Sequence, residues 1–293
     1  MVRTAYFKVF AVLAIALSSV YPAPAQQVTF FPVARDIIES RLRQAPRKDV
    51  DRKALIEKMF RDSGCSDGRM TEQAVVHQKL PNVICVLPGE TEEQIVIGAH
   101  VDHVTAGEGV VDNWSGASLL PSLLDALRET PRHHTFVFVA FSAEEKGLVG
   151  SRFFVSKLSD AEKTRTEGMV NLDTLGLSPT KVWVTQADPK LVKALAAVAA
   201  SMKLPATEFD VDGAGSADSV SFQRAGIPSI TIHSVTRDTF KVLHSSRDNL
   251  SAIRLDDYYS TYRLLSAYLA YLDQVFGPRV PTPRPTMGTV SSR

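Results

Sequence analysis

The sequence predicts an α/β fold, a three-layer sandwich whose central mixed, mostly parallel sheet is flanked by helices. Three observations carry that prediction. Runs such as Phe136-Val137-Phe138-Val139-Ala140-Phe141 are apolar at both parities, as in strands covered on both faces. They alternate with helical patterns along the chain, the order that builds parallel sheets. Several end abruptly in His, Asp or Glu, and ligands of such sheets sit beyond the carboxyl ends of the strands.

Composition narrows the classes. The 293 residues are 44% hydrophobic and 22% charged, enough for one sizeable core, with a formal net charge of +1. No basic stripe with interleaved aromatics occurs, which argues against nucleic acid as a partner. Arg3 and Lys8, an apolar run at 9–17 and the small residues Ala23-Pro24-Ala25 read as a secretory signal over 1–25, cut after Ala25. An uncleaved anchor is the other reading, but the run is shorter than a comfortable bilayer span and nothing later reaches that length, so no stable membrane anchor is expected. Export, to periplasm or medium, is the expectation. An oxidising compartment permits Cys65 and Cys85 to pair, the alternative being two free thiols. Residues 26–276 are expected to form one domain, and the Pro-rich stretch 277–293 a disordered tail.

In chain order, 33–45 and 51–62 read as amphipathic helices, the second with Asp51 in its first turn and a stop near Gly64. Strand-like runs follow at 74–80 and 82–87, split by Pro81 and closed by Pro88-Gly89. A core strand at 94–100 ends in Ala99-His100-Val101-Asp102-His103. A glycine-containing loop, 105–109, leads to Asp112-Asn113-Trp114-Ser115-Gly116 and a helical pattern through Leu119, Leu120, Leu123, Leu124 and Leu127, with Pro121 in its early turn or at a kink. The strand from Thr135 must end near Ser142, because successive strand residues point to opposite faces and Glu144 and Glu145 share a site only from a loop. A helix at 149–158, a strand at 169–173 that reaches Asp173, a strand at 181–185 and an Ala-rich helix at 189–203 follow. A polar loop at 212–219, a strand at 229–235, a loop at 244–249 and a long helix at 255–276 close the series.

His100, Asp112, Glu145, Asp173 and His244 thus fall at or just past strand ends. Imidazole with carboxylate and no thiolate suits zinc and other borderline divalent metals. Each residue alone reads as a turn former or a hydrogen-bonded surface group. Together, three acids and two histidines can hold two dications if one acid bridges.

The order and wording of these motifs resemble the bacterial leucyl aminopeptidase family of dizinc exopeptidases, in the clan that includes glutaminyl cyclases. The matching runs are Gly98-Ala99-His100-Val101-Asp102, Asp112-Asn113-Trp114-Ser115-Gly116, Ala143-Glu144-Glu145-Lys146-Gly147, Asn171-Leu172-Asp173 and His244-Ser245-Ser246-Arg247-Asp248. The resemblance implies two zinc ions per chain bridged by Asp112, with Glu145 and His244 completing one site and His100 and Asp173 the other. It implies Glu144 as general base, Asp102 behind His100 orienting its ring, a cis peptide after Asp112, and peptides as substrates. Many members carry Ser-Asp-His before the penultimate strand, where this chain reads Ala217-Asp218-Ser219, so the substrate-side donor is either absent or replaced by Ser219 or a backbone N–H. Phe222 lines a side-chain pocket or joins the core. His77 and His233 are expected to be packed inside strands, His133 and His134 solvated, and His103 structural or at the rim of the site rather than a ligand. A single-zinc glutaminyl cyclase, a non-catalytic binding ectodomain on the same fold and carboxypeptidase action remain as other readings.

Overall fold

The structure is a computed structural model that describes residues 28–66, 68–213 and 215–276. The expected signal at 1–25 and tail at 277–293 lie outside the described residues. The strands are β1 (Met70–Gln73), β2 (Asn82–Leu87), β3 (Gln94–His100), β4 (Thr135–Phe141), β5 (Thr166–Leu172), β6 (Thr180–Val182), β7 (Ala206–Glu208) and β8 (Ser229–His233). They form one sheet in the order β1-β2-β4-β3-β5-β8-β6-β7. The inner strands β4, β3, β5 and β8 are parallel, whereas β1 and β2 on one side and β6 on the other run antiparallel to their inner neighbours. That is the mixed, mostly parallel sheet expected.

Helices cover both faces. In chain order they are α1 (Arg35–Arg43), α2 (Asp49–Asp62), α3 (Ser115–Ala117), α4 (Leu120–Leu127), α5 (Val149–Lys157), α6 (Asp160–Arg165), α7 (Pro189–Met202), α8 (Ser219–Gln223) and α9 (Leu255–Phe276). Double-sided burial explains β4: Phe136, Phe138 and Ala140 enter the larger core with α4 and α9, while Val137, Val139 and Phe141 face a smaller one with Phe154 of α5 and Phe222 of α8. Phe222 is therefore a core residue. In α9 Tyr258, Thr261, Tyr262 and Leu265 are buried at spacings of three and four, and from Leu264 to Ala270 every residue is buried, so the middle of the helix is enclosed on all sides.

Three expectations are corrected. Residues 74–80 are a loop, and the strand lies just before them in the polar stretch Met70–Gln73, which pairs with β2 alone and so needs no apolar alternation. His77 consequently stands exposed on a turn with φ +60°. The strand expected at 181–185 stops at Val182, because Trp183 Nε1 donates to Asp212 (2.8 Å) and Thr185 N to Asp210 (3.0 Å), which draws the chain into a short turn. Pro121 does sit in the first turn of α4.

Cys65 and Cys85 are bonded, tying the end of α2 to β2 across a separation of 20 residues. In the chain-entropy model, a loop of that length corresponds to roughly 3 kcal/mol of stability. Reduction is expected to lower the free energy of urea unfolding by about that amount; an unchanged value contradicts a stabilising role.

Candidate metal centre

The parallel register sets the site's floor. Gly98 of β3 lies opposite Asn171 of β5, so His100 and Asp173, each two residues further on, emerge side by side at the carboxyl edge. Asp112 enters above them on a wide turn, Val110–Trp114, whose Asp112–Asn113 peptide is cis as the resemblance implies. Backbone groups of this turn are satisfied by side chains from both walls. Val111 N and Asp112 N donate to the two Asp248 carboxylate oxygens (2.7 and 3.2 Å). The Asn113 amide donates to Leu172 O (2.8 Å) and accepts from Thr174 N (3.2 Å), which locks the turn to the end of β5.

His100 Nε2 lies 3.1 Å from Asp112 Oδ1 and 3.7 Å from Asp173 Oδ1. His244 Nε2 lies 3.3 Å from Asp112 Oδ2 and 3.1 Å from Glu145 Oε2. Asp112 therefore offers one oxygen to each of two donor groups. In each trio the donor atoms all lie within 4.8 Å of one another, and the same holds for His100, Glu144 and Glu145. All five residues expected as ligands, with Glu144, converge at one place.

Asp102 departs from expectation in the atoms it uses. The His100 ring is held through Nδ1 by the Asp102 backbone carbonyl (3.0 Å), with the nearer carboxylate oxygen 3.8 Å away. Its carboxylate instead accepts Glu144 N (3.0 Å) and Glu145 N (3.2 Å), fixing the peptide that presents both glutamates. An acid one strand end away thus aims the pair, and a carbonyl fixes the imidazole tautomer.

The electrostatics suit a cation. Burial pushes the Glu144 carboxyl up to about 10, opposed by His100 and aided by Asp218, Asp173 and Asp112. Burial, with Asp112 adding, pushes Glu145 up to about 7. Burial also works against the Asp112 carboxylate, but hydrogen bonds from His100 and His244 outweigh it and hold this acid below the usual range. Its hydrogen bond to Asp112 in turn lifts His244 to about 9. Glu145 Oε1 is buried without a hydrogen-bond partner. Buried carboxylates that lack enough partners are tolerated where they coordinate metal, and an oxygen and imidazole donor set fits zinc.

Two acids without an assigned role in the sequence belong to the site. Asp248 supports the Asp112 turn; its signal was its place four residues after His244. Asp218 precedes α8, is fully buried, and has neither oxygen in a well-formed hydrogen bond. The Ser219 hydroxyl, expected to replace a substrate-side donor, is engaged instead by Thr231 Oγ1 at 2.7 Å. A cleft of about 420 Å³ opens over the donors. Asp112, Glu144, Glu145 and Asp173 line it together with Trp183, Val211, Val235, Phe240 and Leu243, and no Lys or Arg is among its described lining residues.

Other histidines divide. His103 is structural, its Nδ1 2.7 Å from Asp49 Oδ1. His134 is not solvated: its ring is fully buried, 3.0 Å from Asp273 of α9, a partner 139 residues away. His233 is buried, as expected, with Nε2 2.9 Å from Phe209 O and Nδ1 accepting from Val235 N, an arrangement of the neutral ring. Burial pushes it down to about 4. An unfolded histidine titrates near 6.5, so the unfolded chain binds the extra proton first. Its stabilising contribution is complete above about pH 6.5, falls as pH drops toward about 4, and amounts to roughly 3 kcal/mol at most. In His233→Asn that part of the pH dependence is expected to vanish from urea unfolding curves; identical slopes in both proteins contradict the assignment.

The family model described as peptidase family M28 matches residues 82–269. The chain is 34% identical over 152 residues to leupeptin-inactivating enzyme 1 of Streptomyces exfoliatus, covering 50% of this chain and 34% of that protein. It is 31% identical over 163 residues to aminopeptidase YwaD of Bacillus subtilis, covering 54% and 35%. The chain thus aligns with about a third of the length of these curated relatives. Among solved structures, LapA aminopeptidase of Legionella pneumophila superposes with a TM-score of 0.71 at 23% identity, over 82% of this chain and 72% of that one. A glutaminyl cyclase of an Acidobacteriales bacterium superposes with a TM-score of 0.69 at 18% identity, over 87% and 99%. Both share the fold.

Proposed function

The chain belongs to peptidase family M28, and from that premise we propose that it is an exported aminopeptidase that holds two zinc ions and releases N-terminal residues from peptides. The observation that carries this reading is the Asp112 carboxylate, one oxygen toward His100 and Asp173, the other toward His244 and Glu145. On this reading His100 and Asp173 hold one ion, Glu145 and His244 the other, and Asp112 both. Such ions, when bound, would polarise a scissile carbonyl and lower the pKa of a water.

The chain's own groups do the rest. Glu144, aimed by the Asp102 carboxylate, takes a proton from the attacking water and passes it to the leaving amine. The apolar side chains that line the cleft receive the side chain of the N-terminal residue. With no Lys or Arg among the described lining residues, the cleft offers no side-chain cation to a substrate carboxylate, which favours amino- over carboxypeptidase action. Export is supported by the residues at 1–25 and by the Cys65–Cys85 bond. Among the described residues, no helix is long and apolar enough to cross a membrane.

A panel of aminoacyl chromogenic substrates, with and without chelator and added zinc, tests the proposal. The expected result is release from free N-termini, abolished by chelator and restored by zinc. Cyclisation of an N-terminal glutamine peptide without aminoacyl release would instead make the protein a glutaminyl cyclase.

A further inference from the structure

The turn that carries Asp112 is braced from outside by α1 and α2, which precede the segment matched by the family model. Trp114 Nε1 donates to Arg41 O of α1 at 3.1 Å, and His103 meets Asp49 of α2. The third link is a charge. Arg52 of α2 is fully buried. Its Nε donates to Pro46 O (2.8 Å), its Nη2 to Glu108 O (2.5 Å), and its guanidinium carbon lies 5.8 Å from the centre of the Trp114 ring.

The Glu108 residue so gripped is a junction. Its N–H donates to Asp248 O (2.7 Å), and the Asp248 carboxylate holds Val111 N and Asp112 N. Beside it Gly107 has φ +103°, and a Cβ there would collide with Ser245 O, so this loop rests directly on the loop of His244. One guanidinium therefore fixes the shared support of Asp112 and His244. His100 and Asp173, by contrast, sit at the ends of β3 and β5 and owe their spacing to the sheet register.

A buried arginine that only filled the core would be replaced by an apolar side chain with less penalty. Here its planar fork matches two carbonyls at a fixed angle, which the single ammonium of lysine does not reproduce. Asp49, Asp102, Asp112 and Asp248 surround it with negative charge.

We propose that Arg52 is a positioning residue that sets the spacing of Asp112 and His244, and with it the affinity of the ion they share with Glu145, more strongly than that of the ion at His100 and Asp173, which has only Asp112 among its donors on this support. This rests on the two-ion reading above, and wild-type protein in the same experiment tests that reading separately. Metal-free wild type, Arg52→Lys and Arg52→Met, each as the full chain, are titrated with Co2+ while visible absorption and ion content are followed.

Wild type is expected to take up two ions, and both variants one ion at least tenfold more weakly than wild type and the other weakened markedly less. Two ions at wild-type affinity in a folded variant, or equal weakening of both ions, overturns the proposal. Normal uptake by Arg52→Lys with weakened uptake by Arg52→Met overturns it too, since charge and not geometry would then matter. Should Arg52→Met fail to fold, Arg52→Lys, which keeps the buried cation, decides alone. Wild type that takes up a single ion removes the two-ion reading and this proposal together.

Discussion

Glu144→Gln is expected to keep the full ion content of the wild type and to lose roughly a hundred- to ten-thousand-fold in kcat, the range typical of a missing general base. Two features of the site carry this expectation. The trios that share Asp112 are complete without Glu144, so glutamine of nearly the same shape leaves both donor groups intact. Its carboxylate lies within 4.8 Å of the His100 and Glu145 donor atoms, within reach of a water held there whose proton it would take and return. Paired measurement of kcat and ion content separates the possibilities. Wild-type turnover removes Glu144 from the mechanism, and a lost ion turns it into a ligand.

Asp112→Asn is expected to act on the other half of the account. Asparagine keeps the size of the side chain but replaces one acceptor oxygen with an amide and removes the charge both imidazoles face. Because each donor group uses a different Asp112 oxygen, ion affinity should fall by more than the 10- to 100-fold typical of groups that merely support a ligand. Ion content after dialysis against chelator is the measurement, and two retained ions contradict a bridging role. Unchanged near-ultraviolet circular dichroism in the variant distinguishes a lost bridge from a lost fold.

How much of this was legible in the sequence depends on the range of the interaction. Core strands such as β4 announce themselves locally, since burial on both faces writes apolar residues at both parities. The clustering of His100, Asp112, Glu145, Asp173 and His244 was legible because the sheet's carboxyl edge gathers whatever follows each inner strand. Polar edge elements were not: Met70–Gln73 is held by one neighbour, and the short β7 carries no apolar pattern. Helix α6 was missed despite a readable signal, the Ser159 and Glu162 capping box. Long-range partners lie beyond local reading. His134 is buried because Asp273 on α9 reaches it, and Arg52 matters because folding brings Glu108 to α2. Asp102 shows the same limit at atomic scale, where position identified the residue but not which of its oxygens holds His100.

The central claim, two ions bridged by one carboxylate, is tested most directly by anomalous diffraction at the zinc edge from crystals of zinc-loaded protein. The expected map holds two peaks about 3.5 to 4 Å apart, each about 2.0 to 2.2 Å from a different Asp112 oxygen. A single peak, or two peaks of which one does not touch Asp112, would contradict it.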